Sequence, residues 1–143
     1  AFDMEIGYFN RSRRDDVDYA YFGSTEQLAA WCDVLVIATP GGAATRHLVG
    51  ARELQALGPQ GFLVNISRGS VVDTAALAVA LGKGELGGAG LDVYESEPQP
   101  PRELLEFKNV VLTPHMAGWS PEAITASINK FLRNTEAHFA AVG

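Results

Sequence analysis

The sequence predicts an α/β fold in which a doubly wound parallel sheet carries helices on both faces. Apolar runs typical of buried strands recur along the chain, at 33–38, 63–66, 88–93 and 110–112. Helix-forming stretches at 51–57 and 74–81 separate the first three runs. Consecutive parallel strands need crossover connections, which are usually helices, so this alternation favours a parallel sheet.

Composition and charge limit the classes of protein to which the chain can belong. Its 143 residues are 47% hydrophobic and 20% charged, the balance of a globular domain. The net charge of −6 argues against nucleic-acid and anionic-membrane partners, and no apolar run approaches the roughly 20 residues of a membrane span. Cys32 is the only cysteine, so no internal disulfide forms and we expect a cytoplasmic protein.

The first third of the chain begins with an apolar segment, Met4 to Phe9, that we interpret as a short buried strand. A dense cationic turn follows in the order Asn10-Arg11-Ser12-Arg13-Arg14. Ser24 is a favoured N-cap, and it predicts the start of a helix over 25–31.

The middle of the chain carries an arginine between a strand and a helix. Arg68 follows the apolar run 63–66 and precedes a helix that Asp73 is suited to cap. This order places Arg68 at the carboxyl edge of the sheet, where ligands bind in open α/β folds. An arginine there can bind a carboxylate with its planar fork of donors. The alternative is a surface arginine paired with an acid.

The last third ends in the clearest helix of the sequence. Residues 102–107 predict one or two helical turns before the strand at 110–112. Ser120 is the expected cap of the final helix, and Pro121 occupies its first position. Residues at helical spacing then form one largely apolar face, namely Ile124, Ile128, Phe131, Leu132, Thr135 and Phe139.

Three chemically active side chains, Arg68, Glu97 and His115, follow three different predicted strands. Because the carboxyl ends of parallel strands meet at one edge, we expect these side chains to lie close together. A carboxylate beside a histidine favours the protonated ring, which can donate a proton near neutral pH. The trio fits proton-coupled reduction of a 2-oxo acid. The alternative is a hydrogen-bonded structural histidine beside solvated glutamates, and we assign no role to His47.

Three stretches, Leu63 to Asp73, Gly88 to Pro98 and Thr113 to Gly118, resemble the motifs of the D-isomer-specific 2-hydroxyacid dehydrogenases. The resemblance is greatest to the glyoxylate and hydroxypyruvate reductases and covers nearly the whole chain. It implies a Rossmann-type cofactor domain in an oxidoreductase. The implied reaction is reversible hydride transfer from a nicotinamide cofactor to a small 2-oxo acid such as glyoxylate or hydroxypyruvate.

The resemblance also implies roles for individual residues. Arg68 would bind the substrate's carboxylate and carbonyl oxygen, and His115 would be the acid/base. Glu97, and not Glu95, would support His115, while Asp92 would anchor the nicotinamide carboxamide. The residues expected to contact the cofactor are Asn10, Arg11, Ser12, Arg13, Thr39, Pro40, Thr45, Ile66, Ser67, Asp92, His115 and Gly118.

The cationic turn bears on the choice of cofactor. NAD-binding units commonly place an acidic residue at the end of their second strand, where it binds the ribose hydroxyls. Here that position is Asn10, and Arg11, Ser12 and Arg13 follow it. Replacing a carboxylate with cations favours a ribose 2′-phosphate, so we expect NADP(H) to be preferred and NAD(H) to remain possible. The alternative is a solvated basic turn.

The glycine-rich turn of a dinucleotide-binding unit is missing from this sequence. No G-x-G-x-x-G occurs, and the run Gly87 to Gly90 enters a strand instead of opening a helix. We interpret 1–143 as a partial NAD(P)-binding domain, incomplete at its N-terminus, without its first strand or a separate substrate lobe. We expect a homodimer for the complete protein. We also expect negligible turnover for this polypeptide alone, because no second lobe excludes water.

Two other functions stay open at this point. Members of the same family include corepressors, so the chain could belong to an NAD(P)-sensing binding module without turnover. The presence of Arg68, Glu97 and His115 together weighs against that alternative. A related enzyme acting on phosphoglycerate or lactate is the other possibility.

Overall fold

The computed structural model describes residues 3–142 as a parallel α/β fold, which confirms the predicted fold class. Its strands are β1 (Gly7–Tyr8), β2 (Ala20–Tyr21), β3 (Val34–Ile37), β4 (Phe62–Asn65), β5 (Gly88–Leu91) and β6 (Val110–Leu112). Its α-helices are α1 (Thr25–Trp31), α2 (Ala51–Leu57), α3 (Thr74–Gly82) and α4 (Pro121–Val142). Short 3₁₀ turns lie at Ala43–Thr45, Gly69–Val71 and Arg102–Leu104.

Four strands form one parallel sheet in the order β3-β4-β5-β6, while β1 and β2 pair in parallel as a separate two-stranded sheet. In the larger sheet Val36 pairs with Val64, Val64 with Gly90, and Gly90 with Val111. Because all four strands run in the same direction, their carboxyl ends lie along one edge. That edge carries the loops of Arg68, Glu97 and His115.

The core lies between one face of the four-stranded sheet and helices α1, α2 and α3. Leu54 of α2 and Leu77 of α3 are fully buried there. The opposite face is open, since Val36 is 54% exposed, Phe62 49% and Val111 66%. In the part of the chain that the structure describes, these three helices cover one face of the sheet. The sequence predicted helices on both faces, and within residues 3–142 the structure shows them on this face only.

The amino-terminal segment differs from the buried strand expected over Met4 to Phe9. Met4 and Ile6 are each 53% exposed, and strand pairing is limited to Gly7–Tyr8. The partner strand β2 is too short to carry a periodic signal, and it was not predicted. Packing of Phe22 against Trp31 of α1, with ring centroids 5.1 Å apart, attaches this small sheet to the rest of the molecule.

The predicted helix starts are confirmed by their caps. In each case the cap's side-chain oxygen accepts a backbone N–H three residues later, which satisfies one of the unpaired donors of the first turn. The pairs are Ser24 with Gln27 at 3.2 Å, Asp73 with Ala76 at 3.0 Å and Ser120 with Ala123 at 3.0 Å.

Helix α4 leaves its apolar face exposed. The predicted stripe is present, but the exposed fractions of its large side chains run from 48% at Ile124 to 68% at Phe131 and Phe139. The spacing predicted one apolar face, and within residues 3–142 nothing covers it. Among the helices of these residues, none combines the length and the apolarity that a bilayer-spanning helix needs.

Candidate active site

A cavity of about 860 Å³ opens at the carboxyl edge of the sheet. Its walls come from the segments that follow β3, β4 and β5, which are loops separated widely in the sequence. The lining residues are 38–42, 46, 66–70, 94, 95 and 97. Because the strands are parallel, these three loops leave the sheet at the same edge, as the sequence predicted for Arg68 and Glu97.

Arg68 is held by a buried asparagine at the end of β4. Asn65 is fully buried, its Nδ2 donates to the Arg68 carbonyl at 3.0 Å, and its Oδ1 accepts the Ser67 backbone N–H at 3.0 Å. Burial of an amide side chain is tolerated when its polar atoms are paired in this way. Asn65 therefore fixes the turn that aims Arg68, a role that its place within an apolar strand could have indicated.

The Arg68 side chain also depends on a glycine across the cavity. A Cβ added at Gly41 would lie 2.7 Å from Cγ of Arg68 and 3.0 Å from its Cβ. The guanidinium Nη1 donates to the carbonyl of Ser67 at 2.6 Å. Gly41 thus leaves room for the stem of Arg68 to lie along the loop that follows β3.

Glu97 and His115 form a hydrogen-bonded pair. Oε2 of Glu97 lies 3.0 Å from Nδ1 of His115, and Oε1 accepts the Tyr94 backbone N–H at 2.8 Å. Burial opposes ionisation of Glu97, but these bonds and the positive charges of His115 and Arg68 lower its pKa below the ordinary glutamate value. An ionised carboxylate only accepts hydrogen bonds, so Nδ1 carries a proton and Nε2 is left for another partner.

Asp92 stabilises the turn that contains His115 by accepting hydrogen bonds from it. Asp92 is 5% exposed, and its two side-chain oxygens accept the Thr113 hydroxyl and the backbone N–H groups of Met116 at 2.9 Å and Ala117 at 2.8 Å. Burial alone would raise the pKa of Asp92, but these bonds outweigh it and lower that pKa. They hold His115 at a φ of +53°, a left-handed conformation that few non-glycine residues adopt.

The residues expected to contact the cofactor fall into three places: the main cavity, the turn of His115 and Gly118 to which Asp92 is bonded, and the cationic turn. Asp92 and His115 are not among the residues that line the cavity. Thr39, Pro40, Ile66 and Ser67 line the main cavity. The Thr45 hydroxyl donates to the carbonyl of Pro40 at 2.8 Å and so supports that wall, although Thr45 does not line it. Gly118 lies in the turn before α4, and a Cβ added there would meet no atom within 4 Å.

The cationic turn lies apart from this cavity. The four residues proposed there for cofactor contact, Asn10, Arg11, Ser12 and Arg13, are all exposed and are not among the lining residues. Arg14 forms a bidentate ion pair with Asp16, and the hydrogen bond from that guanidinium lowers the pKa of Asp16 to about 2. Within residues 3–142, Arg11 and Arg13 form no ion pair, so their guanidiniums are available to a ligand.

The cavity wall offers space for a bound cofactor. Gly42 lines it at a φ of +141°, and a Cβ built there would meet no protein atom within 4 Å. A ligand can therefore approach the backbone of Gly42 closely. The φ of this residue favours glycine, which carries no side chain that would block the approach. Backbone, hydroxyl and guanidinium groups supply the hydrogen-bond donors that a nucleotide's anionic parts need.

A second cluster beside the cavity received no role from the sequence. The ring of His47 contacts Glu95, whose Oε1 lies 2.8 Å from Nε2. The other oxygen of Glu95 binds the backbone and hydroxyl of Thr74. The two residues lie 48 positions apart, and no local pattern in the sequence relates them.

Comparison with known proteins points to one family. The profile described as D-isomer specific 2-hydroxyacid dehydrogenase, NAD binding domain, matches residues 1–117. Similar curated proteins include hydroxyphenylpyruvate reductase of Plectranthus scutellarioides, 45% identical over 97% of this chain. Another is glyoxylate/hydroxypyruvate reductase A of Arabidopsis thaliana, 44% identical over 97% of this chain. The chain spans 44% of the length of each of these relatives.

A solved structure has the same fold. The NADPH-dependent glyoxylate/hydroxypyruvate reductase of Sinorhizobium meliloti, in complex with NADP and malonate, superposes with a TM-score of 0.88 at 42% identity. The match covers 96% of this chain and 43% of that chain.

Proposed function

Since the chain belongs to the D-isomer specific 2-hydroxyacid dehydrogenase family, we propose that it supplies the cofactor-binding part and three catalytic side chains of a 2-oxo acid reductase. The reaction is reversible reduction of a small 2-oxo acid, such as glyoxylate or hydroxypyruvate, to the D-2-hydroxy acid. The observation that carries this proposal is the hydrogen bond between Glu97 and His115, beside a cavity that Arg68 and Glu97 both line.

The three side chains divide the work by their chemistry. Arg68 binds the substrate carboxylate through its fork of N–H donors and polarises the neighbouring carbonyl. His115 donates a proton to the carbonyl oxygen from Nε2, because Nδ1 is already engaged by Glu97. Glu97 keeps the ring oriented through the bond between its Oε2 and Nδ1 of His115. In the reverse direction the same imidazole accepts the proton from the hydroxy acid.

A nicotinamide cofactor supplies the hydride when it is bound. Its site along the cavity wall would be lined by Thr39, Pro40, Ile66 and Ser67. We propose that Asp92 and Gly118 also contact the cofactor. For Asp92, the bonds to the His115 turn occupy much of its acceptor capacity, and the carboxamide contact would use a remaining lone pair.

We further propose NADPH as the preferred form of the cofactor, with NADH as a weaker alternative. The support is that position 10 is an asparagine and not an acidic residue, and that Arg11 and Arg13 form no ion pair within residues 3–142. The reductase of S. meliloti was solved with NADP. A homodimeric protein in the cytoplasm, and negligible turnover by these 143 residues alone, stay predictions.

The test is a comparison of turnover and cofactor binding in a full-length protein that contains this chain. We expect reduction of glyoxylate or hydroxypyruvate with NADPH, and we expect His115→Ala to lower kcat by about 100-fold or more. The affinity for NADPH should change little, because the substitution removes the acid and not the cavity wall. A matched control is His138→Ala, since His138 is exposed on α4. A protein that binds NADPH but reduces no 2-oxo acid would support the sensing module instead.

A further inference from the structure

The cluster that joins the loop after β3, the start of α3 and the loop after β5 consists of Arg46, His47, Asp73, Thr74 and Glu95. We propose that His47 and Glu95 are positioning residues for the Glu97–His115 pair: their hydrogen bond tethers the loop that carries Glu97. This inference rests on the proposed function, which does not itself assign a role to either residue.

Glu95 is the fixed point of this tether. Its Oε2 accepts the backbone N–H of Thr74 at 3.2 Å and the Thr74 hydroxyl at 2.9 Å, at the N-terminus of α3. Its Oε1 accepts from Nε2 of His47 at 2.8 Å. Burial opposes ionisation of Glu95, but the bonds from His47 and Thr74 outweigh it and lower its pKa. An ionised carboxylate with three donors is held far more firmly than a solvated one.

His47 is itself fixed by its backbone. Its N–H donates to the carbonyl of Ser70 at 2.8 Å, and its φ of +50° is a left-handed conformation that a β-carbon disfavours. A strained backbone persists only where surrounding contacts over-determine it. Because ionised Glu95 cannot donate, Nε2 of His47 carries the proton that joins them.

The charged groups around the ring form a small network. Nδ1 of His47 lies 3.8 Å from Oδ2 of Asp73, which also caps α3. Nη2 of Arg46 lies 3.8 Å from Oε1 of Glu95. The His47 ring therefore lies between the carboxylates of Asp73 and Glu95, and the guanidinium of Arg46 lies beside that of Glu95. These contacts join the loop after β3 and the loop after β5 to the start of α3, beside the cavity.

The tether acts on catalysis through a short segment. Glu97 lies two residues after Glu95, and its Oε1 folds back to the N–H of Tyr94, which directly precedes Glu95. A shift of Glu95 therefore moves the carboxylate that orients His115. Misplacement of a catalytic group by about 1 Å can cost on the order of 100-fold in rate. Glu95 and His47 need not touch the substrate for this effect.

The test compares His47→Ala with His47→Gln in a full-length protein that contains this chain. We expect His47→Ala to lower kcat by roughly 10-fold or more, with KM for NADPH unchanged within about twofold. Glutamine can place an N–H near the position of Nε2, so His47→Gln should recover most of the loss. A His47→Ala/Glu95→Ala double variant should be no worse than the poorer single variant, because both remove the same bond.

A second readout separates this proposal from the proposed function. The ¹⁵N signals of His115 report which ring nitrogen carries the proton, and they require no turnover. We expect Nδ1 of His115 to carry a proton in the parent protein, as its bond to Glu97 requires, and we expect this signature to weaken in His47→Ala. His138, which is exposed on α4, serves as the internal reference.

Each outcome decides one question. If His47→Ala leaves both kcat and the His115 signals unchanged, the tether is not a positioning device, whatever the enzyme does. If the His115 signals change but no variant, including His115→Ala, alters turnover, the positioning role stands and the proposed function is wrong. Circular dichroism and urea unfolding of His47→Ala, with His47→Gln as the reference, verify that a loss in His47→Ala does not reflect global unfolding.

Discussion

Gly69 packs directly against the backbone of Tyr94. A Cβ built on Gly69 would lie 1.9 Å from the carbonyl carbon of Tyr94 and 2.1 Å from its oxygen, distances that no real side chain occupies. The loop of Arg68 therefore touches the loop of Glu97 backbone to backbone. This contact limits the distance between the proposed substrate-binding cation and the carboxylate that orients His115.

Replacing Gly69 with alanine should damage both stability and the site. Because the colliding atoms are backbone, neither loop can relieve the contact by a rotamer change, and we expect a loss of about 1–3 kcal/mol in the free energy of unfolding. Urea unfolding of Gly69→Ala measures it. The matched control is Gly90→Ala, whose Cβ would meet its nearest atom at 3.9 Å. Equal stability of the two variants would contradict the backbone contact.

Replacing Gly41 with alanine should act on substrate binding with little effect on stability. The new methyl group would lie 2.7 Å from Cγ of Arg68, so the arginine must leave its rotamer. We expect KM for the 2-oxo acid to rise by about 10-fold, consistent with the loss of one charge-assisted hydrogen bond. Steady-state kinetics with the substrate and NADPH varied separately measure the effect. A rise in KM for NADPH alone would place Arg68 outside the substrate site.

Acid should destabilise the fold through the carboxylates at the sheet edge. Hydrogen bonds outweigh burial and lower the pKa of Asp92, Glu95 and Glu97. A carboxyl whose pKa is lower in the folded state stabilises the fold above its unfolded pKa, about 4. That stability is lost as the pH falls through the folded value. We therefore expect the urea midpoint to fall steeply below about pH 4.

Urea unfolding over the same pH range also measures how much Glu97 contributes to the acid sensitivity of the fold. Glu97→Gln removes one titrating group, so the fall in the urea midpoint below about pH 4 should be shallower than in the parent. The exposed Glu106 provides the control, and Glu106→Gln should leave the slope unchanged. A slope that is identical in all three proteins would show that Glu97 does not contribute to acid sensitivity.

The cationic turn should determine the choice of cofactor. Removing the guanidiniums with Arg11→Ala and Arg13→Ala takes away donors for a ribose 2′-phosphate. The ratio of kcat/KM for NADPH to that for NADH should fall by about 10-fold or more. Arg14→Ala is the matched control, because Arg14 is already paired with Asp16. An unchanged ratio in the Arg11 and Arg13 variants would make the turn a solvated surface feature.

The sequence predicted the features that depend on neighbouring residues. Helix starts at Ser24, Asp73 and Ser120 could be recognised because a cap and its donor lie three residues apart. The strands of the large sheet followed from apolar runs, and their parallel order followed from the helices between them. The motifs around Arg68, Glu97 and His115 indicated a family, and the family indicated a reaction.

Tertiary structure decided what depends on contacts between distant segments. The bond between His47 and Glu95 spans 48 residues. The turn that follows His115 is held by Asp92 through hydrogen bonds that span 24 and 25 residues. The exposure of the apolar face of α4 could likewise not be predicted from the sequence, because periodicity specifies an apolar stripe but not the surface that packs against it. The physical reason is that hydrogen-bond and packing partners are chosen by how closely two backbones approach. At Gly69 and Tyr94 that approach is set by the whole fold.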